Sequence, residues 1–148
     1  MCTLVPAYQA AKTLPDVVHD LRREVPEAAE GPRLLVIDDG STDGTGALAH
    51  ALGCTVVAHG DNRGKGAALR TGLATARALG YAAALSVDAD GQHPGGSART
   101  VLYASRDPDA LVLGVRDLEA AGAPRNNQLS NRISNYFLSL FAGQPLAD

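Results

Sequence analysis

Two carboxylates at residues 88 and 90 are the strongest candidates for chemistry in this sequence. Asp88-Ala-Asp90 follows an apolar run, and Gly91 behind it permits a turn that brings both side chains to one cation. Two carboxylates fill only part of the coordination shell of Mg²⁺ or Mn²⁺, and they leave positions for water and for the oxygens of a diphosphate. Gln92 and His93 are further candidate ligands. The alternative is a solvated aspartate turn that caps the next helix. The preceding buried strand favours the metal site.

A second acidic pair, Asp38 and Asp39, ends another apolar run and precedes Gly40. A carboxylate at a strand end can accept hydrogen bonds from a nucleobase imide or a ribose hydroxyl, and glycine lets the backbone approach a ligand closely. The next three residues, Ser41-Thr-Asp43, are types that cap a following helix. We therefore expect Asp38 and Asp39 to bind a ligand and residues 41–43 to cap.

A glycine-flanked lysine occurs in Asn62-Arg-Gly-Lys-Gly66, at the start of a predicted helix. Backbone amides at a helix start can hold phosphate. The segment is not a Walker P-loop, because the spacing from Gly60 to Gly64-Lys65 is one residue short and Gly66 replaces the required Ser or Thr. On this motif alone, a phosphate cradle and a loop with a solvated lysine are equal alternatives.

The histidines do not form a recognisable catalytic group. His19, His50 and His59 are scattered along the chain, and we expect them to be surface or structural residues. Only His93 lies next to other candidate ligands. No Ser/His/Asp or Cys/His arrangement is indicated.

Positioning these motifs requires a sheet, and the hydrophobic pattern predicts one. Apolar runs alternate with helical patterns, which indicates an α/β sandwich with a mostly parallel sheet. Strands are predicted over residues 3–6, 33–38, 54–58, 81–87 and 110–115. A first helical segment is predicted from Leu14, closed by Pro26, and further helices over 43–52, 64–79, 97–105 and 127–141. The continuous apolar run in 33–38 is typical of a strand covered on both faces. The polar motifs follow the strands, so we expect them at the carboxyl edge of the sheet, where such folds bind ligands.

Composition narrows the class of protein. The chain has 148 residues, 45% hydrophobic and 20% charged, which fits one folded domain over 1–148. A net charge of -3 argues against nucleic-acid binding by phosphate neutralisation. No run reaches the about 18 apolar residues of a membrane span, and no signal-peptide pattern follows Met1. Two cysteines give no disulfide framework, so a reducing cytoplasm is expected.

Four sequence blocks, taken in order, resemble family 2 glycosyltransferases with the GT-A fold, a Rossmann-like three-layer α/β/α sandwich. The similarity is nearest the branch of dolichyl-phosphate mannosyltransferase-like enzymes, or polyprenyl-phosphate sugar synthases. The blocks are Val5-Pro-Ala-Tyr8, residues 36–43, residues 62–68 with Gly72, and residues 88–94. Gly114-Val-Arg116 and residues 131–148 resemble later segments of the family.

The resemblance implies roles for individual residues. Contacts with the nucleotide sugar are implied for Pro6, Ala7, Tyr8, Asp38, Asp39, Asp61, Lys65, Asp88, Ala89 and Asp90. The implied metal ligands are Asp88, Asp90 and Gln92, and the implied catalytic residues are Asp88, Asp90 and Arg116. Arg116, Arg125 and Arg132 are implied phosphate contacts, and which of them acts is left open.

The function implied is metal-dependent transfer of a sugar, with inversion, from a GDP- or UDP-sugar to a polyprenyl phosphate or a saccharide. The cofactor would be Mg²⁺ or Mn²⁺. The alternative is a nucleotide-sugar-binding remnant without activity. A phosphoacceptor receiver domain is disfavoured because it needs a lysine after the fifth strand, and the lysines here are Lys12 and Lys65. A nucleotidyltransferase would need a glycine-rich start that this chain does not match.

Three departures from the family pattern qualify this interpretation. Gln9-Ala-Ala11 replaces polar family residues, Pro94-Gly-Gly96 lacks the usual acids, and the sequence ends at Asp148, where the family continues. We expect the donor-binding part without much of the acceptor part. Three explanations remain open: a fragment, a truncated gene product, or a site completed by association, for example in a homo-oligomer. We expect a cytoplasmic protein that meets the inner face of the membrane only through its acceptor or a missing C-terminal part.

Overall fold

The computed structural model describes residues 1–92 and 95–104, which belong to the unit Met1–Val112. The strands are β1 Cys2–Ala7, β2 Leu34–Asp38, β3 Thr55–Ala58 and β4 Ala84–Ser86. The helices are α1 Leu14–Glu24, α2 Pro26–Ala29, α3 Thr45–Ala51, α4 Lys65–Ala78 and α5 Gly95–Ala104, with a 3-10 turn at Gly31–Arg33. Among the helices described, none is long and apolar enough to cross a membrane.

Within the part of the chain that the structure describes, four strands form one parallel sheet in the order β3-β2-β1-β4. β1 therefore lies inside the sheet, paired with β2 on one side and β4 on the other. Parallel sheets are stable when both faces are covered, and every residue of β2 is buried. The predicted parallel sheet and the predicted burial of this strand on both faces are confirmed.

Alternate residues of a strand point to opposite faces of the sheet, so each face carries its own set of apolar side chains. Helices cover both of these faces. Val5 and Val36 belong to a core shared with buried residues of α1, α3 and α5. Leu4 and Ile37 point the other way, into a core shared with α4. The predicted three-layer α/β/α sandwich is therefore confirmed for the part of the chain that the structure describes.

The element boundaries agree with the prediction at the end of α1 and differ from it at α3 and β4. α1 ends at Glu24 and Pro26 begins the separate helix α2, where proline fits a first helical turn, so the prediction that Pro26 closes the first helical segment is confirmed. α3 begins at Thr45, two residues late, and β4 is shorter than the predicted 81–87. The predicted strand at 110–115 and helix at 127–141 lie outside the described residues.

Close packing of α4 on the sheet depends on Gly72. A Cβ added there would lie 3.1 Å from Ile37 Cγ1 and 3.3 Å from Leu4 Cδ1. Both of those side chains are fully buried, so neither has room to move away. α4 carries the glycine-flanked lysine at its first residue, and its distance from the sheet therefore affects the position of that lysine.

We predict that Gly72→Ala lowers the free energy of unfolding. Alanine normally stabilises a helix by about 1 kcal/mol relative to glycine, but overpacking a core costs about 1–3 kcal/mol. Gly66→Ala is the matched control in the same helix, since the nearest atom to its added Cβ is Arg70 Nη1 at 3.8 Å. Denaturant unfolding should show Gly66→Ala neutral or stabilising and Gly72→Ala destabilising. A stabilised Gly72→Ala would contradict the tight packing.

Candidate functional site

A cavity of about 570 Å³ opens at the carboxyl edge of the sheet. Its walls come from four segments that are far apart in the sequence: residues 6–13, the end of β2, the loop before α4, and the residues after β4. Parallel strands bring these segments together because all four strands end at the same edge. The predicted location at this edge therefore agrees with the position of the cavity.

Asp38 and Asp39 have different surroundings, although they are adjacent. Asp38 Oδ1 accepts a hydrogen bond from the Ser41 amide, with an N···O distance of 3.0 Å. Its other carboxylate oxygen lies against Gly46 of α3, where any larger side chain would collide with it. Asp38 is buried and is not part of the cavity wall, whereas Asp39 is.

Asp39 holds the loop between β3 and α4. Its Oδ1 accepts hydrogen bonds from His59 Nδ1 at 2.6 Å and from the Arg63 amide at 3.1 Å. Its Oδ2 accepts one from the Gly64 amide at 2.7 Å. Burial alone would raise the pKa of Asp39, but these hydrogen bonds outweigh it and lower the pKa below its ordinary value. Asp39 is therefore a buried carboxylate held in its ionised form.

Gly40 allows the loops after β2 and β3 to touch. It has a positive φ of +75°, and a Cβ there would lie 2.6 Å from the Asn62 backbone nitrogen. Only glycine satisfies both the backbone conformation and the contact. The close approach is what brings the amides of residues 63 and 64 within reach of Asp39.

The loop after β1 is tied to the loop after β2 through Gln9. Gln9 has a positive φ of 52°, which is uncommon for a residue other than glycine. Its backbone amide donates to Ser41 Oγ at 3.0 Å, and its Nε2 donates to Thr42 Oγ1 at 2.9 Å. The prediction that Ser41 and Thr42 cap the next helix was wrong, because their hydroxyls accept these hydrogen bonds instead.

Asp43 does not cap α3 as predicted either, because the N-cap residue is Gly44 and no side chain makes a capping hydrogen bond there; Asp43 instead orders the residues around the helix start. Its Oδ1 accepts a hydrogen bond from the Thr45 amide at 3.0 Å, at the start of α3. Its Oδ2 accepts one from the Ala11 amide at 2.9 Å, which adds another hydrogen bond between the loops after β1 and β2. Hydrogen bonding to the Thr45 hydroxyl, and then to the Ala11 amide, lowers the pKa of Asp43. Polar side chains after β2 thus fix the backbone on two sides of the cavity.

Lys65 and Asp88 form an ion pair inside the cavity. Lys65 Nζ lies 2.7 Å from Asp88 Oδ1 and 2.8 Å from Oδ2. The two side chains are 61% and 31% exposed, so solvent screens the pair and its contribution to stability is small. Lys65 can therefore exchange Asp88 for another anion at low cost.

The residues after β4 form the turn predicted from Gly91, which has a positive φ of +72°. Asp90 Oδ1 accepts a hydrogen bond from the Gln92 amide at 2.9 Å, and Asp90 is exposed. Thr13 Oγ1 donates to the Ala89 carbonyl at 2.6 Å, which holds the middle of the Asp-x-Asp turn against the start of α1. Both carboxylates of the turn line the cavity.

The donor set fits a divalent ion that shares its coordination with a ligand. Within the described residues, no three or more His, Cys, Asp or Glu side chains form a metal-binding group. Mg²⁺ in particular commonly binds through one or two carboxylates, with water and substrate phosphates completing the shell. Asp88 and Asp90 offer two such carboxylates on one cavity wall. Gln92 does not line the cavity.

The structure brings together most of the residues to which ligand contacts were assigned. Those that line the cavity are Pro6, Ala7, Tyr8, Asp39, Lys65, Asp88, Ala89 and Asp90. Asp38 and Asp61 do not line it, and the Asp61 side chain is 78% exposed. His93, Arg116, Arg125 and Arg132 lie outside the described residues.

Sequence reasoning assigned no role to Thr13 and expected His59 only to be a surface or structural residue, although patterns in the sequence could have indicated the contacts of both. Pro15 near the start of α1 marks Thr13 as the residue before the helix, and its hydroxyl makes no capping hydrogen bond. That hydroxyl donates to Ala89. His59 directly follows β3, as Asp39 follows β2, and residues at such neighbouring strand ends are candidates for contact.

Comparison with known proteins identifies the family. The family model for glycosyl transferase family 2 matches residues 2–146. Glycosyltransferase AglJ of Haloferax volcanii is 34% identical over 150 residues, covering 100% of this chain and 47% of that protein. Polyprenol monophosphomannose synthase of Mycolicibacterium smegmatis is 34% identical over 96 residues, covering 61% of this chain and 35% of that protein.

A solved structure supports the same assignment. Mannosyl-3-phosphoglycerate synthase from Rubrobacter xylanophilus superposes with a TM-score of 0.57 at 27% identity, covering 68% of this chain and 34% of that one. The chain belongs to glycosyl transferase family 2, and its fold is GT-A. It spans about half the length of AglJ and a smaller part of the other two proteins.

We predict that the free energy of unfolding of Asp39→Asn decreases less steeply than that of the wild type as the pH falls. Because the pKa of Asp39 is lower in the folded state than in the unfolded state, its ionisation stabilises the fold above about pH 4. That contribution is lost as the pH falls from about 4 through the lower pKa of the folded protein. Urea unfolding between pH 5 and pH 2 should show a steep decline for the wild type and a shallower one for Asp39→Asn.

Asp61→Asn is the control for this measurement, because Asp61 is an exposed carboxylate in the neighbouring loop. Its pH profile should follow that of the wild type. Parallel declines for the wild type and Asp39→Asn would contradict the role assigned to the buried carboxylate.

Proposed function

We propose that this chain binds the donor of a glycosyltransferase reaction, a GDP- or UDP-sugar, through a divalent ion on Asp88 and Asp90. The observation that carries the proposal is the charge of the cavity wall. Among the described residues that line it, three carboxylates, Asp39, Asp88 and Asp90, face one ammonium, Lys65. A diphosphate is itself anionic, so it would be repelled from this wall unless a cation came with it.

The family resemblance implies a sugar nucleotide as the donor, and the name of one relative supports a lipid phosphate as the acceptor. The M. smegmatis relative is named for making a polyprenol monophosphomannose. We extend that acceptor class, a polyprenyl phosphate, to this chain, with a saccharide as the second candidate. The ion would be Mg²⁺ or Mn²⁺, and the transfer would invert the anomeric centre, as the family resemblance implies. The protein would then work in the cytoplasm, at the inner face of the membrane where such an acceptor lies.

Different residues of the cavity would bind different parts of the donor. Asp88 and Asp90 would hold the ion, which when bound would offset the negative charge that develops on the departing diphosphate. Lys65 would leave Asp88 and donate to a phosphate oxygen. Tyr8 lines the cavity with an exposed ring, which gives the nucleobase a surface to pack against.

Asp39 can serve the nucleoside end of the donor. Each carboxylate oxygen can accept about two hydrogen bonds. Oδ1 already accepts from His59 and the Arg63 amide, whereas Oδ2 accepts one hydrogen bond among the described residues, from the Gly64 amide. Oδ2 is therefore the atom that we assign to a ribose hydroxyl or a base imide.

The acceptor decides whether a general base is required. A polyprenyl phosphate is already ionised and can attack the anomeric carbon without losing a proton. A hydroxyl acceptor needs a carboxylate within hydrogen-bond reach to take its proton. Arg116, Arg125 and Arg132 remain the predicted contacts for the acceptor phosphate or the leaving diphosphate.

We predict that Asp90→Asn weakens the binding of UDP or GDP in the presence of Mn²⁺ by tenfold or more. Asparagine keeps the oxygen that accepts from the Gln92 amide, so the turn should remain while the charge is lost. A hydrogen bond or contact to a charged group contributes about 1.5–3 kcal/mol, which corresponds to roughly tenfold to a hundredfold in affinity. Isothermal titration calorimetry with and without Mn²⁺ measures the effect.

Glu30→Gln is the matched control, because it removes the same charge from an exposed residue ahead of β2, at the opposite edge of the sheet. Its nucleotide affinity should equal that of the wild type. Equal Mn²⁺-dependent affinity in Asp90→Asn and the wild type would refute the metal site. Sugar transfer to a polyprenyl phosphate then separates a transferase from a protein that only binds the donor.

A further inference from the structure

His59 connects the candidate site to the body of α4. It directly follows β3, and the pairing of Asp38 with Ala58 in the neighbouring strands sets it beside Asp39. Its ring nitrogens lie 2.6 Å from Asp39 Oδ1 and 2.9 Å from Thr71 Oγ1. The His59 and Asp39 side chains are 6% and 4% exposed, so solvent does not compete strongly for these hydrogen bonds.

The direction of the first hydrogen bond follows from the chemistry of the acceptor. An ionised carboxylate only accepts, so His59 Nδ1 carries the hydrogen and donates it to Asp39. In the neutral ring, Nε2 then accepts from the Thr71 hydroxyl. The ring is thus fixed at both ends, between the end of β2 and the second turn of α4.

A fixed Asp39 carboxylate fixes the loop that precedes α4. Its two oxygens accept from the amides of Arg63 and Gly64. Gly64 is immediately before Lys65, the first residue of α4 and the ammonium of the cavity. A chain of hydrogen bonds therefore runs from Thr71 through His59 and Asp39 to the backbone that carries Lys65.

We propose that His59 is a positioning residue, which through Asp39 holds residues 63 and 64, and with them Lys65, in the arrangement that binds a diphosphate. The inference rests on the proposed function for its ligand. It assigns to His59 a contribution to phosphate binding that requires no contact between its ring and the phosphate.

Two substitutions separate positioning from simple packing. In His59→Asn, the side-chain amide nitrogen takes the place of Nδ1 and can still donate to Asp39. In His59→Gln, the longer side chain reaches toward Thr71 and lacks the donor at the Nδ1 position. Glutamine is closer to histidine in volume, so a packing role would rank glutamine above asparagine, whereas the positioning role ranks asparagine above glutamine.

Two measurements give that ranking. Amide hydrogen exchange at Arg63 and Gly64 reports local opening of the loop without any ligand. We expect exchange about tenfold faster in His59→Gln than in the wild type, and within about threefold of the wild type in His59→Asn, in line with the loss or retention of one hydrogen bond to a charged group. The affinity for inorganic pyrophosphate with Mn²⁺ should follow the same order.

Thr71→Val provides a third variant, which leaves His59 and Asp39 unchanged and removes the hydroxyl at the far end of the ring. We expect faster exchange at Gly64 than in the wild type, with a smaller change than in His59→Gln. Equal exchange rates and pyrophosphate affinities in the asparagine and glutamine variants, or the reverse order, would overturn the inference. If exchange follows the predicted order while the wild type binds neither pyrophosphate nor a nucleoside diphosphate, the proposed function fails and the positioning of the loop stands.

Discussion

A buried carboxylate must be supplied with hydrogen-bond donors, and Asp39 finds its donors in the segment that follows the neighbouring strand. This requirement explains several features of the site at once. Gly40 must be glycine so that the segment can approach, and His59 must lie beside Asp39, as the parallel register of β2 and β3 allows. The start of α4, with Lys65, is held at the cavity as a consequence.

The order β3-β2-β1-β4 places this local constraint at one wall of the candidate site. Because β1 is an inner strand, the loops after β2 and β3 lie on one side of it and the Asp-x-Asp turn after β4 lies on the other. The Lys65–Asp88 ion pair spans that gap. It joins the two sides through partly exposed side chains that can separate, whereas the Asp39 side chain is buried and accepts three hydrogen bonds.

Much of this organisation could be predicted from the residues. The continuous apolar run before Asp38 identified a strand covered on both faces, and the acids after the predicted strands identified the edge at which the cavity opens. Those arguments depend on local patterns, which a single sequence contains. The same patterns could not distinguish Asp38 from Asp39, because their difference arises from Gly46 of α3 and from the loop after β3.

Tertiary pairings account for the other features that were not predicted. Lys65 and Asp88 are on different elements, and nothing in their local sequence indicates that they meet. Ser41 and Thr42 were expected to cap a helix, but the unusual backbone of Gln9 brings competing donors to them. In both cases, contacts between distant segments decide the outcome over local preference.

The central claim is that carboxylates and a lysine from separate strand ends bind one diphosphate with one divalent ion. Paramagnetic broadening by Mn²⁺ tests it directly, by NMR of the protein with GDP or UDP present. The account predicts selective loss of amide resonances from both sides of the cavity, at residues 89–90 and at residues 64–65, with those of Gly53 and Gly80 at the far edge unaffected. Broadening confined to one side, or to carboxylates outside the cavity such as Asp16 and Asp20, would contradict it.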